Sequence, residues 1–112
     1  MKKVEAIVKP FKVDEVKDPL TALGVGGMAL TDVRGFGHQP ARTDFYEDVE
    51  YTIDFLPKVK VEVVVLDDLV DKALSAICGA ARTGSVGDRK IFVLPIIRVM
   101  RIRTGETGEA AL

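Results

Sequence analysis

Gly35-Phe-Gly-His-Gln-Pro-Ala-Arg-Thr-Asp-Phe-Tyr-Glu-Asp-Val-Glu-Tyr-Thr-Ile-Asp-Phe-Leu-Pro-Lys-Val-Lys60 stands between two strand-like stretches. From Gln39 to Asp54 it keeps neither a helical nor an alternating apolar period. Five carboxylates (Asp44, Glu47, Asp48, Glu50 and Asp54) face one Arg42 between Pro40 and Leu56, a local charge of −4. A loop this long in a small domain is a functional or a disordered segment. Its three aromatics, Phe45, Tyr46 and Tyr51, favour function over a solvated linker. It also divides the chain into two halves of similar pattern, and this division decides the fold.

Upstream, Lys2 to Lys9 alternates as a strand, with Val4, Ala6 and Val8 on one face and Lys3, Glu5, Ile7 and Lys9 on the other. Lys12 to Leu23 has helical spacing at Val16, Leu20 and Leu23, with Asp14 as the expected N-cap. Pro19 falls inside it and is expected to kink or delay the helix. Met28 to Phe36 is the second strand. Downstream, Pro57 to Leu66 is the third, with a core face of Val59, Val61, Val63 and Val65. Asp67 to Arg82 is the second helix, capped by Asp67 or Asp68; its expected buried stripe includes Val70, Ala73, Leu74, Ile77, Cys78 and Ala81. Ile91 to Val99, apolar on both faces, is expected to be a central strand. Arg101 and Arg103 are placed on one face of the tail, and 104–112 is expected to be mobile.

The order β-α-β, long loop, β-α-β is that of the α+β ferredoxin-like sandwich, with both helices on one face of an antiparallel sheet. The other face has mixed character and calls for a partner subunit. The 112 residues suit a single domain, 1–112, with a loop at 37–55, a phosphate loop at 82–90 and a tail at 98–112. A net charge of −1 argues against nucleic-acid partners. No run is long enough to insert into a membrane, and the charged N-terminal strand does not read as a signal peptide. The one cysteine, Cys78, reads as a small buried hydrophobe. A cytoplasmic location is expected.

Candidate chemistry gathers in Thr83-Gly-Ser-Val-Gly-Asp-Arg-Lys90. Gly84 and Gly87 free backbone amides, and Arg89 and Lys90 add charge, the composition of an anion nest. Arg101, Arg103 and Lys58 extend the cationic set toward a phosphate-bearing ligand. Catalytic constellations are poor. His38 is the sole histidine, and Asp88 has no acid or base to pair with. The chain reads as a binder.

Over nearly its whole length the sequence resembles the PII signal proteins of nitrogen regulation. The resemblance is carried by Lys9-Pro-Phe-Lys12, Gly35-Phe-Gly-His-Gln39, Asp54-Phe-Leu-Pro-Lys-Val-Lys60, Thr83-Gly84, Gly87-Asp88, Lys90-Ile-Phe-Val93 and Arg101-Ile-Arg-Thr-Gly105. It implies a homotrimer that binds ATP or ADP in clefts between subunits. Gly35, Phe36, Gly37, His38, Gln39 and Val64 would line one side, with Ile7 nearby and Ala29 where a threonine often meets adenine. Gly87, Asp88, Arg89 and Lys90 would hold phosphates, with Arg101, Ile102 and Arg103 reaching from the next subunit. The resemblance further implies 2-oxoglutarate sensing, with Gln39 on Mg, and Lys58 and Gly87 at the effector. The loop would then bind targets such as an ammonium channel or a nitrogen-regulatory enzyme.

Several positions depart from the family pattern. Tyr51 stands at the uridylylated position, but Glu47-Asp48 replace a basic residue and a glycine before it, which weakens that assignment. Pro40-Ala41 replace Lys-Gly, Ser85 a lysine and Arg89 a glycine. The alternative functions are a ferredoxin-like phosphohydrolase or slow ATPase built on the same nest, and a PII-derived module with a changed effector and partner.

Overall fold

Residues 1–35, 55–85 and 87–112 are described by the structure, a computed structural model. Phe36, Gly37, His38, Gln39 and Tyr51, and most of the 37–55 loop, lie outside the described residues.

Four strands, β1 (Lys2–Val8), β2 (Ala29–Gly35), β3 (Leu56–Val65) and β4 (Ile91–Pro95), form one antiparallel sheet in the order β2-β3-β1-β4. Helices α1 (Val13–Ala22) and α2 (Val70–Ala81) pack against each other and cover one face. This is the expected ferredoxin-like architecture. The alternation that marked β1 and β3 as half-buried holds residue by residue. Val4, Ala6 and Val8 pair across the register with Val63, Val61 and Val59, and all six are buried. Val16 and Leu20 from α1 and Ala73 and Ile77 from α2 close the core over them. Burying each such side chain contributes about 1.5–3 kcal/mol for the larger ones.

The helix starts differ from the expectation. Asp14 is not an N-cap. A 3₁₀ turn, Pro10–Lys12, precedes α1, Lys12 is the cap without a side-chain bond, and Asp14 and Glu15 lie in the first turn, where the helix dipole favours them. Pro19 sits inside α1, so the carbonyl of Glu15 lacks its usual helical donor. Gly24, at φ +90°, then turns the chain out of the helix. Neither Asp67 nor Asp68 caps α2, which follows the 3₁₀ turn Asp67–Leu69. Asp67 instead takes the N-terminal ammonium at 2.8 Å and Lys2 at 3.1 Å, pinning the start of β1 to that turn.

Three further expectations are corrected. β4 is an edge strand ending at Pro95, not a central one reaching Val99; Phe92 and Val93 are exposed on it, and Ile97 beyond it. Cys78 is exposed, because it lies one residue past buried Ile77 and off the inner stripe of α2. The tail is not loose. Met100 bridges Thr107, Arg101 N–H donates to the Glu106 carbonyl at 2.8 Å, and a 3₁₀ turn, Gly108–Ala111, follows.

Candidate functional site

On the uncovered face of the sheet the β1/β3 register sets Ile7 opposite Lys60. Continued by two residues, past Val8 and Val59, it brings Lys9 beside Lys58. The chain after α2 returns along this end of β1, where Ile7 N–H donates to the Lys90 carbonyl at 3.3 Å. Lys9, Lys58 and the 83–90 loop therefore meet at one end of the sheet.

Asp88 organises the loop. Its Oδ2 accepts from the Thr83 amide at 3.0 Å and the Gly84 amide at 2.9 Å, and its Oδ1 from the Thr83 hydroxyl at 2.6 Å. Gly84 holds φ +82°, a conformation that costs an L side chain energy and that turns its amide into this bond. Lys9 Nζ donates to Thr83 Oγ1 at 2.7 Å and to Ser85 Oγ, and stands 3.4 Å from Asp88 Oδ1. The Thr83 hydroxyl above all, then the two amides and Lys9, hold the Asp88 carboxyl well below the usual carboxylate range. The expected role of this nest changes accordingly. The amides of Thr83 and Gly84 are filled by the chain's own carboxylate, and Asp88 is a loop lock with no lone basicity for acid–base work.

Two further cations beside it, Lys58 and Arg89, have no ion-paired carboxylate among the described residues. Lys58 is buried, 4% exposed, and its Nζ donates to the Gly87 carbonyl at 3.1 Å. Burial, then the nearby charges of Arg89 and Lys9, lower its pKa. A β-carbon at Gly35 would lie 3.2 Å from Lys58 Cγ and 3.6 Å from Arg89 Nε, so the end of β2 abuts both side chains. Arg89 Nη2 is buried and has no hydrogen-bond partner among the described residues. Among the described residues no carboxylate stands within ion-pair distance of Lys58, Arg89 or Lys90; Asp88 is paired with Lys9. Beside this cluster a recess of about 240 Å³ runs between α2 and β1, with Ile7, Ile77, Cys78 and Ile91 among its lining.

The single chain thus brings together Ile7, Gly35, Lys58, Gly87, Asp88, Arg89 and Lys90. Among the described residues it does not bring in Val64, Ala29, Arg101, Ile102 or Arg103. Val64 lies on the same face as Ile7 but four residues along β3 from the position opposite it, about 13 Å away. Ala29, paired with Glu62, belongs to that far end. Arg101 bonds within the tail, its Nη2 donating to the Leu112 carbonyl at 3.0 Å; Ile102 is fully exposed, and Arg103 is exposed beside it. Arg101 and Arg103 belong to a turn rather than to one face of a strand. Lys9 and Thr83 were not expected as site residues. The signal for Lys9 was present: it shares a strand face with Ile7 at the point where Pro10 ends the strand.

Comparison with known proteins agrees with this architecture. The family model described as "Nitrogen regulatory protein P-II" matches residues 1–106. The chain is 56% identical to the nitrogen regulatory protein P-II of Cereibacter sphaeroides and 53% identical to P-II 1 of Escherichia coli K12, over the full length of both chains in each case. It superposes on Arabidopsis thaliana PII, whose structure was determined bound to citrate, with a TM-score of 0.81 at 45% identity, covering 99% of this chain and 91% of that one. The relatives are named as regulators of nitrogen metabolism rather than as enzymes, and no described helix is long and apolar enough to cross a membrane. The resemblance in the motifs, the sheet order and these matches converge: the chain belongs to the PII family of nitrogen-regulatory signal proteins.

Proposed function

We propose that this PII protein senses an adenine nucleotide together with 2-oxoglutarate, as a cytoplasmic homotrimer of one-domain subunits. The observation that carries the reading is the pair Lys58 and Arg89, which meets above Gly35 and beside Gly87 with no ion-paired carboxylate among the described residues. Cations gathered without an ion-paired carboxylate are suited to phosphate and carboxylate groups. That a relative binds citrate, a polycarboxylate, supports the same reading.

In this proposal Gly87, Asp88, Arg89 and Lys90 border the phosphates, with Asp88 shaping the loop rather than touching the anion. Lys58 and Gly87 hold the effector carboxylate. Gly35 to Gln39 line the cleft, and Gln39 takes Mg when ATP is bound. Ile7, Val64 and Ala29 contact adenine from more than one subunit, since one chain keeps them apart. Arg101, Ile102 and Arg103 are contributed by a neighbour. The trimer is supported by the exposed apolar side chains of β4 and the tail, among them Phe92, Ile97, Met100 and Ile102. The 37–55 loop selects a target, an ammonium channel or a nitrogen-regulatory enzyme. Its −4 charge and the acids before Tyr51 point to a partner with a basic surface and away from uridylylation.

Calorimetric titration of ATP with Mg, with and without 2-oxoglutarate, tests this. Nucleotide binding with 2-oxoglutarate taken up only in its presence is the expected result. Nucleotide binding without any 2-oxoglutarate response removes the effector claim. Binding of neither makes Lys90, Arg101 and Arg103 ordinary surface charge and ends the proposal.

A further inference from the structure

Ser85 stands where the family pattern has a lysine, and its hydroxyl joins two other polar side chains. Its Oγ accepts from Lys9 Nζ and lies 2.9 Å from Thr83 Oγ1. The direction of the second bond follows from the hydrogens available. Thr83 commits its single hydroxyl hydrogen to Asp88 Oδ1 at 2.6 Å, so Ser85 is the donor to Thr83. Lys9 closes the circuit. Its ammonium donates to Thr83 Oγ1 at 2.7 Å and stands 3.4 Å from Asp88 Oδ1. Lys9, Ser85, Thr83 and Asp88 thus form a ring in which each hydroxyl both donates and accepts, and the three hydrogens of the ammonium meet three oxygens. A polar network of this kind rigidifies its surroundings when every member is satisfied.

The ring touches the groups read as ligand-binding. Lys9 follows the last residue of β1, a strand paired on both sides, so one member of the ring is fixed to the sheet. Its stem packs on Gly87, where a β-carbon would stand 2.9 Å from Lys9 Cε. The Ser85 carbonyl accepts from the Asp88 amide at 3.1 Å, which closes the turn that contains Gly87. The Gly87 carbonyl in turn receives Lys58 Nζ. We propose that Ser85, acting through Lys9, is a positioning residue that holds the Gly87 backbone in its ligand-binding place before the ligand arrives. This role rests on the reading of Gly87 and Lys58 as ligand groups and adds the residue that fixes them. A lysine at 85 has donors and no acceptor. It would leave Lys9 one oxygen short and set a second ammonium beside it. The loop would then be ordered by the ligand rather than in advance, at a cost in affinity.

Calorimetric titration of the full chain with Mg-ATP, and then with 2-oxoglutarate in the presence of Mg-ATP, tests this role. The chains are wild type, Ser85→Ala, Ser85→Lys, Ser85→Thr and, as a charge control, Ser75→Lys at an exposed position of α2. Ser85→Ala weakens 2-oxoglutarate binding about threefold and Ser85→Lys about tenfold. Ser85→Thr keeps the hydroxyl and matches wild type, as does Ser75→Lys. The sign for Ser85→Lys is diagnostic. Charge alone predicts that a loop gaining a cation binds an anion more tightly, whereas a broken ring predicts weaker binding. In the ligand-free protein the Thr83 and Gly84 amides, which donate to Asp88, exchange with solvent faster in Ser85→Ala and Ser85→Lys than in wild type. Thermal midpoints stay within about 2 °C of wild type, since Ser85 is exposed and outside the core. The positioning role is overturned by Ser85→Ala and Ser85→Lys chains that bind as wild type does, by a Ser85→Lys chain that binds more tightly, or by affinity that falls together with a midpoint several degrees lower. Those results spare the reading of the site, because the ligands still bind wild type. A wild type that takes up neither ligand ends that reading and the positioning role together.

Discussion

Lys58 and Lys60 stand two residues apart on the same face of β3, and they belong to opposite electrostatic regions. Lys60 lies in a closed quartet with Glu5, Glu62 and Lys3, whose four ion-pair contacts run from 3.1 to 3.8 Å. The register sets Glu5 directly opposite Glu62, a repulsive pair in isolation, and the two lysines on either side neutralise it. Lys58 lies at the other end of the face, buried, held by one carbonyl, and repelled by Arg89 and Lys9. Equal numbers of each sign make the first region self-sufficient. Among the described residues the second has an excess of positive charge, with its one acid, Asp88, bound to Lys9, Thr83 and Gly84. A binding site here is distinguished by the charge that the fold leaves unanswered, not by the number of charges it gathers.

That contrast can be broken by substitution. The largest effect is expected from Lys58→Met, which keeps the bulk and removes the buried charge. Anion affinity falls by about 30-fold or more, as when one member of a desolvated charge pair is truncated. The ligand-free protein is not destabilised, because an unrelieved buried ammonium is lost. Calorimetry and a thermal melt report the two halves of that prediction. Asp88→Asn comes next. It trades a charged acceptor of three bonds for a neutral one and frees Lys9, so the 83–90 loop loosens at a cost of about 1–2 kcal/mol, readable as a lowered denaturant midpoint. A melt unchanged from wild type would show that the loop is held by other means.

The pH dependence sharpens the comparison. Lys58 has a folded pKa below its unfolded value near 10.5, so the unfolded chain binds the extra proton between the two. Folding stability therefore gains from this group as pH rises through the folded value, whereas anion affinity drops over the same rise because the site loses its charge. A 2-oxoglutarate affinity that is flat from neutral to alkaline pH would contradict the role given to Lys58. Asp88 and Glu62 behave in the opposite sense. Their carboxyls are held below their ordinary values of 3.8 and 4.5, Glu62 chiefly by its bond from Lys3, so their contribution is present above those values and is lost as pH falls below them. The smallest effect is expected from Glu5→Gln with Glu62→Gln. The pairs are partly exposed, so the melting temperature moves by only about 2 °C or less. Two lysines are nevertheless released, and a new, salt-sensitive attraction for anions at that end of the face would confirm that compensation, not composition, separates the regions.

The strand and helix order was legible because period-two and period-3.6 patterns survive in local sequence. Val59 to Val65 and Val4 to Val8 declared their buried faces without any tertiary information. The helix starts were misread because Asp14 and Asp67 have the composition of caps, while tertiary position gave them other work, the first a place inside the first turn and the second the N-terminal ammonium. β4 was misplaced for a related reason. Apolar residues on both faces record the burial of a strand without saying what covers it, and within one chain this strand is an edge.

By itself, then, the sequence determined the family, the two β-α-β halves and the cationic residues of the 82–90 loop, since each rests on residue type and spacing along the chain. The tertiary structure alone decided which charges remain free. Ion pairing depends on distances of a few ångströms between residues as far apart as Lys9 and Asp88, or Gly35 and Arg89, and only the closed sheet sets those distances.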